Sequence, residues 1–173
     1  MLNDEIGKGI NDQINAELYS AYLYYSMAAF FESLSLKGFC HWLRVQALEE
    51  MTHVQKFFGY LNDRGSRVLL QPIEAPRAEW ESPLAVFEEV YAHEVKVTGL
   101  INKLMDLALS KSDHASVSFL QWFVSEQVEE EATADEVVQK LKLVEKTEGG
   151  LFLLDREMDQ RTFALPQDLT GVF

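Results

Sequence analysis

The chain has a single cysteine, Cys40, among 173 residues. That excludes an internal disulfide and any thiolate-rich metal cluster, and it fits a reducing compartment. As a small apolar residue, Cys40 reads as core. Basic residues are scarce as well, with 15 Lys and Arg against 28 Asp and Glu, a formal charge of −13. Such a surface repels phosphates, so nucleic acid and anionic membrane are disfavoured as partners, while cations are attracted. No apolar run is long enough to cross a bilayer. The richest, residues 21–31, is too short and contains Ser26. Residues 1–9 are acidic and polar, unlike a signal peptide, so a cytoplasmic location is expected. There is no Gly-rich phosphate loop, no nucleophile triad, no internal repeat and no low-complexity segment. His93-Glu94 opens a zinc-protease-like string, but Val97 stands where the second histidine is required. His41, His93 and His114 lack partners at ligand spacing and read as surface or cap residues.

Only four prolines interrupt the chain, and it reads as helix almost throughout. A first helix over residues 4–34 carries Ile10, Ile14, Ala21, Tyr24, Ala28 and Phe31 on one face. A second, over 38–63, turns Phe39, Leu43, Phe57 and Tyr60 inward, and Gly65 is placed to end it. Ser82-Pro83 is a good start for a third helix, to about residue 109. Ser112 or Asp113 can cap a fourth, to about residue 145. Residues 67–81 hold Pro72 and Pro76 and read as an extended, ordered connection. About fifteen extended residues reach roughly 50 Å, farther than a helix of about 28 residues at about 1.5 Å each. The third helix can therefore run parallel to the second. Gly149-Gly150 breaks the chain before a short fifth helix over 151–162. Its start, Leu151-Phe152-Leu153-Leu154, is too apolar for water and is expected to bury between subunits. The division expected is a four-helix bundle over 1–146, the fifth helix within 147–163, and an irregular tail over 164–173.

Each long helix has polar residues on its apolar stripe. The first reads Ile10, Ile14, Glu17, Ala21, Tyr24; the second Phe39, Leu43, Gln46, Glu50, His53, Phe57. The third reads Phe87, Val90, Glu94, Val97, Ile101; the fourth Leu120, Phe123, Gln127, Glu130, Ala134. Glu50 and His53, like Gln127 and Glu130, are three apart and share a face. Rise per residue puts all four carboxylates within a turn or two of mid-bundle. Burying an unpaired carboxylate costs several kcal/mol or more, so four together need a counter-charge. Two divalent cations supply it, four positive charges against four negative. Carboxylates plus one imidazole suit iron or manganese, and zinc fits less well. Glu50 is placed to bridge the pair, with Glu17 and His53 on one metal and Glu94 and Glu130 on the other. Gln127, being neutral, suits a hydrogen bond or a weak ligand. Two ferrous ions so held could each give one electron to the same O2.

At this point the chain resembles the non-haem bacterial and archaeal ferritins. The resemblance covers nearly the whole chain and is strongest at Asn11-Asp12-Gln13-Ile14-Asn15-Ala16-Glu17, Glu49-Glu50-Met51-Thr52-His53, Phe119-Leu120-Gln121-Trp122 and Glu126-Gln127-Val128-Glu129-Glu130-Glu131. It implies an all-α, ferritin-like four-helix bundle with a long crossover between the second and third helices and a short C-terminal fifth helix. It also implies a 24-subunit homo-oligomeric shell, ferroxidase activity with Fe(II) and O2 as reactants, and ferric mineral stored inside. A third iron site carried by Glu49, Glu126, Glu129 and Glu130 is implied as well. On composition alone Glu49, Glu126 and Glu129 read equally as a solvated acidic face. Tyr24 and Trp122 can supply an electron in the family; aromatic packing is the other reading of Trp122. One Glu-x-x-His pair is present, at Glu50 and His53, and Gln127-x-x-Glu130 stands in the second place. That argues against the haem-binding bacterioferritin branch, and Met51 reads as packing rather than as a haem ligand. Where animal ferritins place acids around a three-fold channel, this chain has Val117 and Leu120.

Two further readings remain. One is a di-iron oxygenase, or a peroxidase of the rubrerythrin type, acting on a small substrate. It needs a pocket beside the metals, and Tyr24, Phe57, Phe87 and Phe123 are bulky enough to fill that space. The other is a helical shell that only sequesters cations.

Overall fold

The computed structural model describes residues 2–170 and is all-helical. Helix α1 spans Asp4–Ser33, α2 Lys37–Asp63, α3 Pro83–Ser110, α4 His114–Val144 and α5 Gly150–Met158, followed by a 3-10 turn at Gln167–Leu169. Side-chain caps set three of the starts. Asn3 accepts from the Glu5 and Ile6 amides, Ser82 from Ala85 with Pro83 beside it, and Asp113 from Ser116. Ser35 and Gly65 turn the chain at positive φ after α1 and α2.

The connection over residues 66–82 runs the length of α1. Asn11 receives the Leu69 amide (2.6 Å) and donates to the Arg67 carbonyl (3.2 Å). Further along, Ser26 donates to the Arg77 carbonyl, and Trp80 packs edge-on against Phe30. The segment thus crosses from the C-terminal end of α2 to its N-terminal end, where Phe87 of α3 meets Phe31, Phe39 and Trp42. α3 therefore runs parallel to α2 and antiparallel to α1.

The apolar core is in two parts. One cluster joins Tyr24, Phe31, Phe39, Ala47, Phe87, Val90, Ala134 and Val137. The other joins Ile10, Ile14, Val54, Phe57, Val97, Ile101, Leu120 and Phe123. On every long helix the break between clusters falls at the polar intruders, so the bundle has a polar layer at mid-height.

The fifth helix ends at Met158, four residues short of the expected 162. Leu154 and Met158 bury within the chain, in the cluster of Phe39 and Leu141, while Phe152 and Leu153 face outward. The chain thus covers one face of α5 itself. Asp155 also accepts the Phe39 amide at 3.1 Å, supplying the cap that Leu36 cannot give α2. This docking requires Gly38. A Cβ there would lie 1.6 Å from the Asp155 carbonyl oxygen, which is backbone and cannot rotate away. Gly38→Ala is expected to cost about 3 kcal/mol or displace α5. A lowered melting midpoint together with faster proteolysis between residues 145 and 150 would report it. The tail is irregular apart from the 3-10 turn, and residues 171–173 lie outside the described residues.

Candidate metal centre

Glu17, Glu50, His53 and Glu94 are each no more than 2% exposed, and Gln127 and Glu130 are also buried. They come from four helices and meet because each sits on its helix's core-facing stripe at matching height. His53 Nδ1 lies 3.2 Å from Glu50 Oε2 and 3.7 Å from Glu17 Oε2. Glu17, Glu50 and His53 each offer a ligand atom, all within 4.8 Å of one another, so this group could hold a metal ion. A second such group is His53, Glu126 and Glu130. His53 packs edge-on against Trp122 and Phe123, which fixes its ring.

Glutamines and a tyrosine orient the carboxylates. Gln13 donates to Glu17 Oε1 at 2.7 Å. Gln46 donates to Glu130 Oε2 at 2.7 Å and to Glu50 Oε1 at 3.3 Å. Tyr24 donates its phenol hydrogen to Glu94 Oε1. Gln127 donates to Glu94 Oε2 at 3.3 Å and lies equally close to Thr98 Oγ1. Glu17 Oε2 is buried with no hydrogen-bond partner. A desolvated carboxylate oxygen facing an imidazole and a second carboxylate suits a cation better than any neutral filler.

The electrostatics show the strain of this layer. Burial pushes Glu50 well above the usual carboxylate range, reinforced by Glu94 and Glu17 against the pull of His53. Burial lifts Glu94 to about 7, opposed by the hydrogen bonds from Tyr24 and Gln127. Burial, with repulsion from Glu94, lifts Glu130 to about 8. Burial alone would raise Glu17, but the charge of His53, 3.7 Å away, and the hydrogen bond from Gln13 outweigh it and leave the group lowered. Burial alone would lower His53, yet Glu17 and Glu50 hold it well above its ordinary value. Burial and the Glu94 charge likewise keep the Tyr24 phenol protonated far above its ordinary value.

The residues considered for a third cation separate. Glu126 lies beside His53 and Glu130, half-buried. Glu129 points to solvent. Glu49 is half-buried and paired with Arg161. Trp122 is partly exposed, with Lys56 Nζ 4.4 Å from the centre of its ring. Leu120 is fully buried among the core aromatics, so it lines no channel.

One sequence expectation is corrected here. His93 is buried rather than on the surface. Its Nε2 lies 2.7 Å from Ser20 Oγ, its ring packs on Tyr19 and edge-on to Tyr24, and burial holds it down at about 4. Its place between two tyrosines on α1 follows from helix pairing, which no local spacing reveals. Gln13 and Gln46 as partners of the carboxylates were also missed. A signal existed: each lies four residues before a buried glutamate, the spacing of side-chain neighbours on a helix.

Comparison with known proteins shows which family the chain resembles. The ferritin sequence profile, a ferritin-like domain, matches residues 7–144. A bacterial non-heme ferritin of Bacteroides fragilis is 40% identical over 161 residues, 93% of this chain and 100% of that protein. One from Campylobacter jejuni is 42% identical over 156 residues, 90% of this chain and 93% of that protein. An open pore ferritin from the hyperthermophilic archaeon Archaeoglobus fulgidus superposes with a TM-score of 0.92 at 49% identity, covering 94% of this chain and all of that one. Among the described residues no helix is long and apolar enough to cross a membrane. With matches over most of its length and a layer of buried carboxylates and imidazole at its centre, the chain belongs to the ferritin family.

Proposed function

We propose that this protein stores iron and oxidises it on the way in. Ferrous iron is the substrate. One ion binds Glu17, Glu50 and His53; a second binds Glu50, Glu94 and Glu130, with Glu50 bridging. Each ferrous ion gives up one electron and O2 receives both. The ferric product then passes Glu49, Glu126 and Glu129 towards the interior of a 24-subunit shell, where it mineralises. The observation that carries this reading is the polar layer itself: four carboxylates and one imidazole buried between two apolar clusters, with one carboxylate oxygen lacking any partner.

The surrounding residues take definite parts. Gln13 and Gln46 hold Glu17, Glu50 and Glu130 in orientation while adding no charge. Tyr24, protonated and bonded to Glu94, orients that carboxylate beside the proposed iron pair. Gln127 steadies Glu94 as a neutral donor. His53, clamped by Trp122 and Phe123, presents Nδ1 towards Glu17 and Glu50. The exposed Phe152 and Leu153 of α5 support burial between subunits. The names of the relatives, bacterial non-heme ferritins, support iron storage.

An organic substrate has no obvious place in this layer. Tyr24, Phe57, Phe87 and Phe123 beside it are buried. A cavity of about 340 Å³ lies instead at α1, α3 and the crossover, lined by Asp12, Tyr19, Glu74, His93 and Lys96.

The test is size and loading together. The purified protein is expected to elute as a particle of about half a megadalton, twenty-four chains of 19.8 kDa each. Ferrous iron added in air should be oxidised far faster than in buffer alone, and hundreds of ferric ions per particle should co-elute with protein. A dimer-sized particle that releases its ferric product at once would overturn the reading.

A further inference from the structure

After α5 the chain turns back along α2. The Arg161 carbonyl lies 2.8 Å from His41 Nε2, its guanidinium stacks 4.1 Å from the centre of the Trp42 ring, and its Nη2 pairs with Glu49. Farther on, Asp168 pairs with Lys56, and Leu169 is buried. The positions met on α2 are 41, 42, 49 and 56, close to one stripe of that helix and about 22 Å long at the rise of an α-helix. The segment over 159–169 is thus a strap lying along α2 next to the polar layer.

The strap accounts for an asymmetry in the layer. His53, Glu126 and Glu130 bring ligand atoms within 4.8 Å of one another, and Glu49 is absent from that group although the charges of His53 and Glu126 act on it. Its carboxylate is turned to Arg161. The other guanidinium nitrogen, Nη1, is buried without a hydrogen-bond partner. A guanidinium held in this way, one face on an indole and one edge on a carboxylate, is hard to displace. It is also a single charge, and a divalent cation able to gather Glu49, Glu126 and Glu130 can compete with it.

We propose that Arg161 is a positioning residue that holds Glu49 in place of a metal cation, so that the strap after α5 latches the exit side of the di-iron layer. This rests on the ferroxidase reading above. A third cation binds there only by exchanging with the guanidinium. The latch keeps Glu49 neutralised until two ions fill the inner positions and the next arrives. Its effect is on the third ion alone, because Arg161 contacts none of the residues holding the first pair.

The test is an anaerobic calorimetric titration of the metal-free assembled protein with Fe(II), comparing wild type, R161Q, R161K, E49Q and E49Q/R161Q. Wild type is expected to show two tight equivalents per chain and a weaker third. Removing the competing charge in R161Q should tighten the third class at least about tenfold, as expected for one charge interaction at a partly desolvated site. R161K keeps the charge but loses the stacked contact, so its third class should fall between wild type and R161Q, and raised salt should narrow the gap between R161Q and wild type. With Glu49 already neutral, adding R161Q should change nothing. An unchanged or weakened third class in R161Q, or a gain that persists in E49Q/R161Q, overturns the latch while leaving the tight pair, and so the ferroxidase reading, intact. A wild type with no tight pair overturns the ferroxidase reading and the latch with it.

Discussion

Glu50→Ala is expected to abolish the proposed rapid ferrous oxidation: the initial rate in air should fall at least about 100-fold, the upper end of what changes to residues merely supporting metal ligands produce. Glu50 faces the most partners in the layer. One oxygen lies 3.2 Å from His53 Nδ1, the other receives Gln46, and the charges of Glu94 and Glu17 repel it. A carboxylate so crowded by charge is costly without cations and strongly attractive to them. Its loss separates the two proposed metal positions, so two electrons no longer reach one O2 together. The same residue weakens the empty fold. Glu50→Gln keeps the shape and removes the charge. At alkaline pH, where the raised Glu50 carboxyl ionises, it should therefore raise the melting midpoint of the metal-free protein by roughly 2–4 °C for each kcal/mol of repulsion relieved, while oxidation still falls. Stopped-flow absorbance and calorimetry read the two effects. Equal oxidation rates in wild type and Glu50→Ala would remove the catalytic claim.

The metal-free protein should lose stability as pH rises from about 4.5 to about 8. Glu94 and Glu130 have an ordinary value of 4.5, and the fold lifts them to about 7 and about 8. A group raised in the folded state contributes its full stabilisation below its unfolded value and loses it as pH climbs through the folded one. Glu50, raised well above its ordinary value, and His53, raised above 6.5, act with the same sign. Glu17 is lowered and acts oppositely, its stabilisation being lost only as pH falls below about 4.5. Each tenfold change in a group's proton affinity on folding is worth about 1.4 kcal/mol, so the summed loss across the window is of the order of several kcal/mol. Divalent metal reverses the trend, because its ligands must be deprotonated and its affinity climbs with pH. Denaturant titrations of stripped protein at pH 5 to 8.5, repeated with anaerobic Fe(II), would show the two slopes. A flat or rising stability without metal would show that the layer is not under charge strain.

The arrangement of helices was readable because polar residues intrude on stripes that otherwise obey helical spacing. A buried glutamate at the same depth on four stripes is unaccountable in an apolar core, so Glu17, Glu50, Glu94 and Glu130 point to one another before any packing is known. The crossover was equally readable from two prolines and its length. His93 was not. Its spacing resembles that of a solvent-facing residue, and only the approach of α1 encloses it between Tyr19 and Tyr24. The start of the fifth helix reads as too apolar for water and suited to burial between subunits, yet Gly38 lets the helix settle on α2 and Asp155 caps that helix.

The sequence by itself determined which residues are apolar, which break helices and which carry charge on a core-facing stripe. Helical periodicity links positions three and four apart, so local order carries that information. Tertiary structure alone decided which distant polar groups meet. Arg161 meets Glu49 across 112 positions, and Gln46 meets Glu130 across 84. Such pairs form only when separately folded helices and the returning tail come within hydrogen-bond range, a distance set by packing and not by any spacing along the chain.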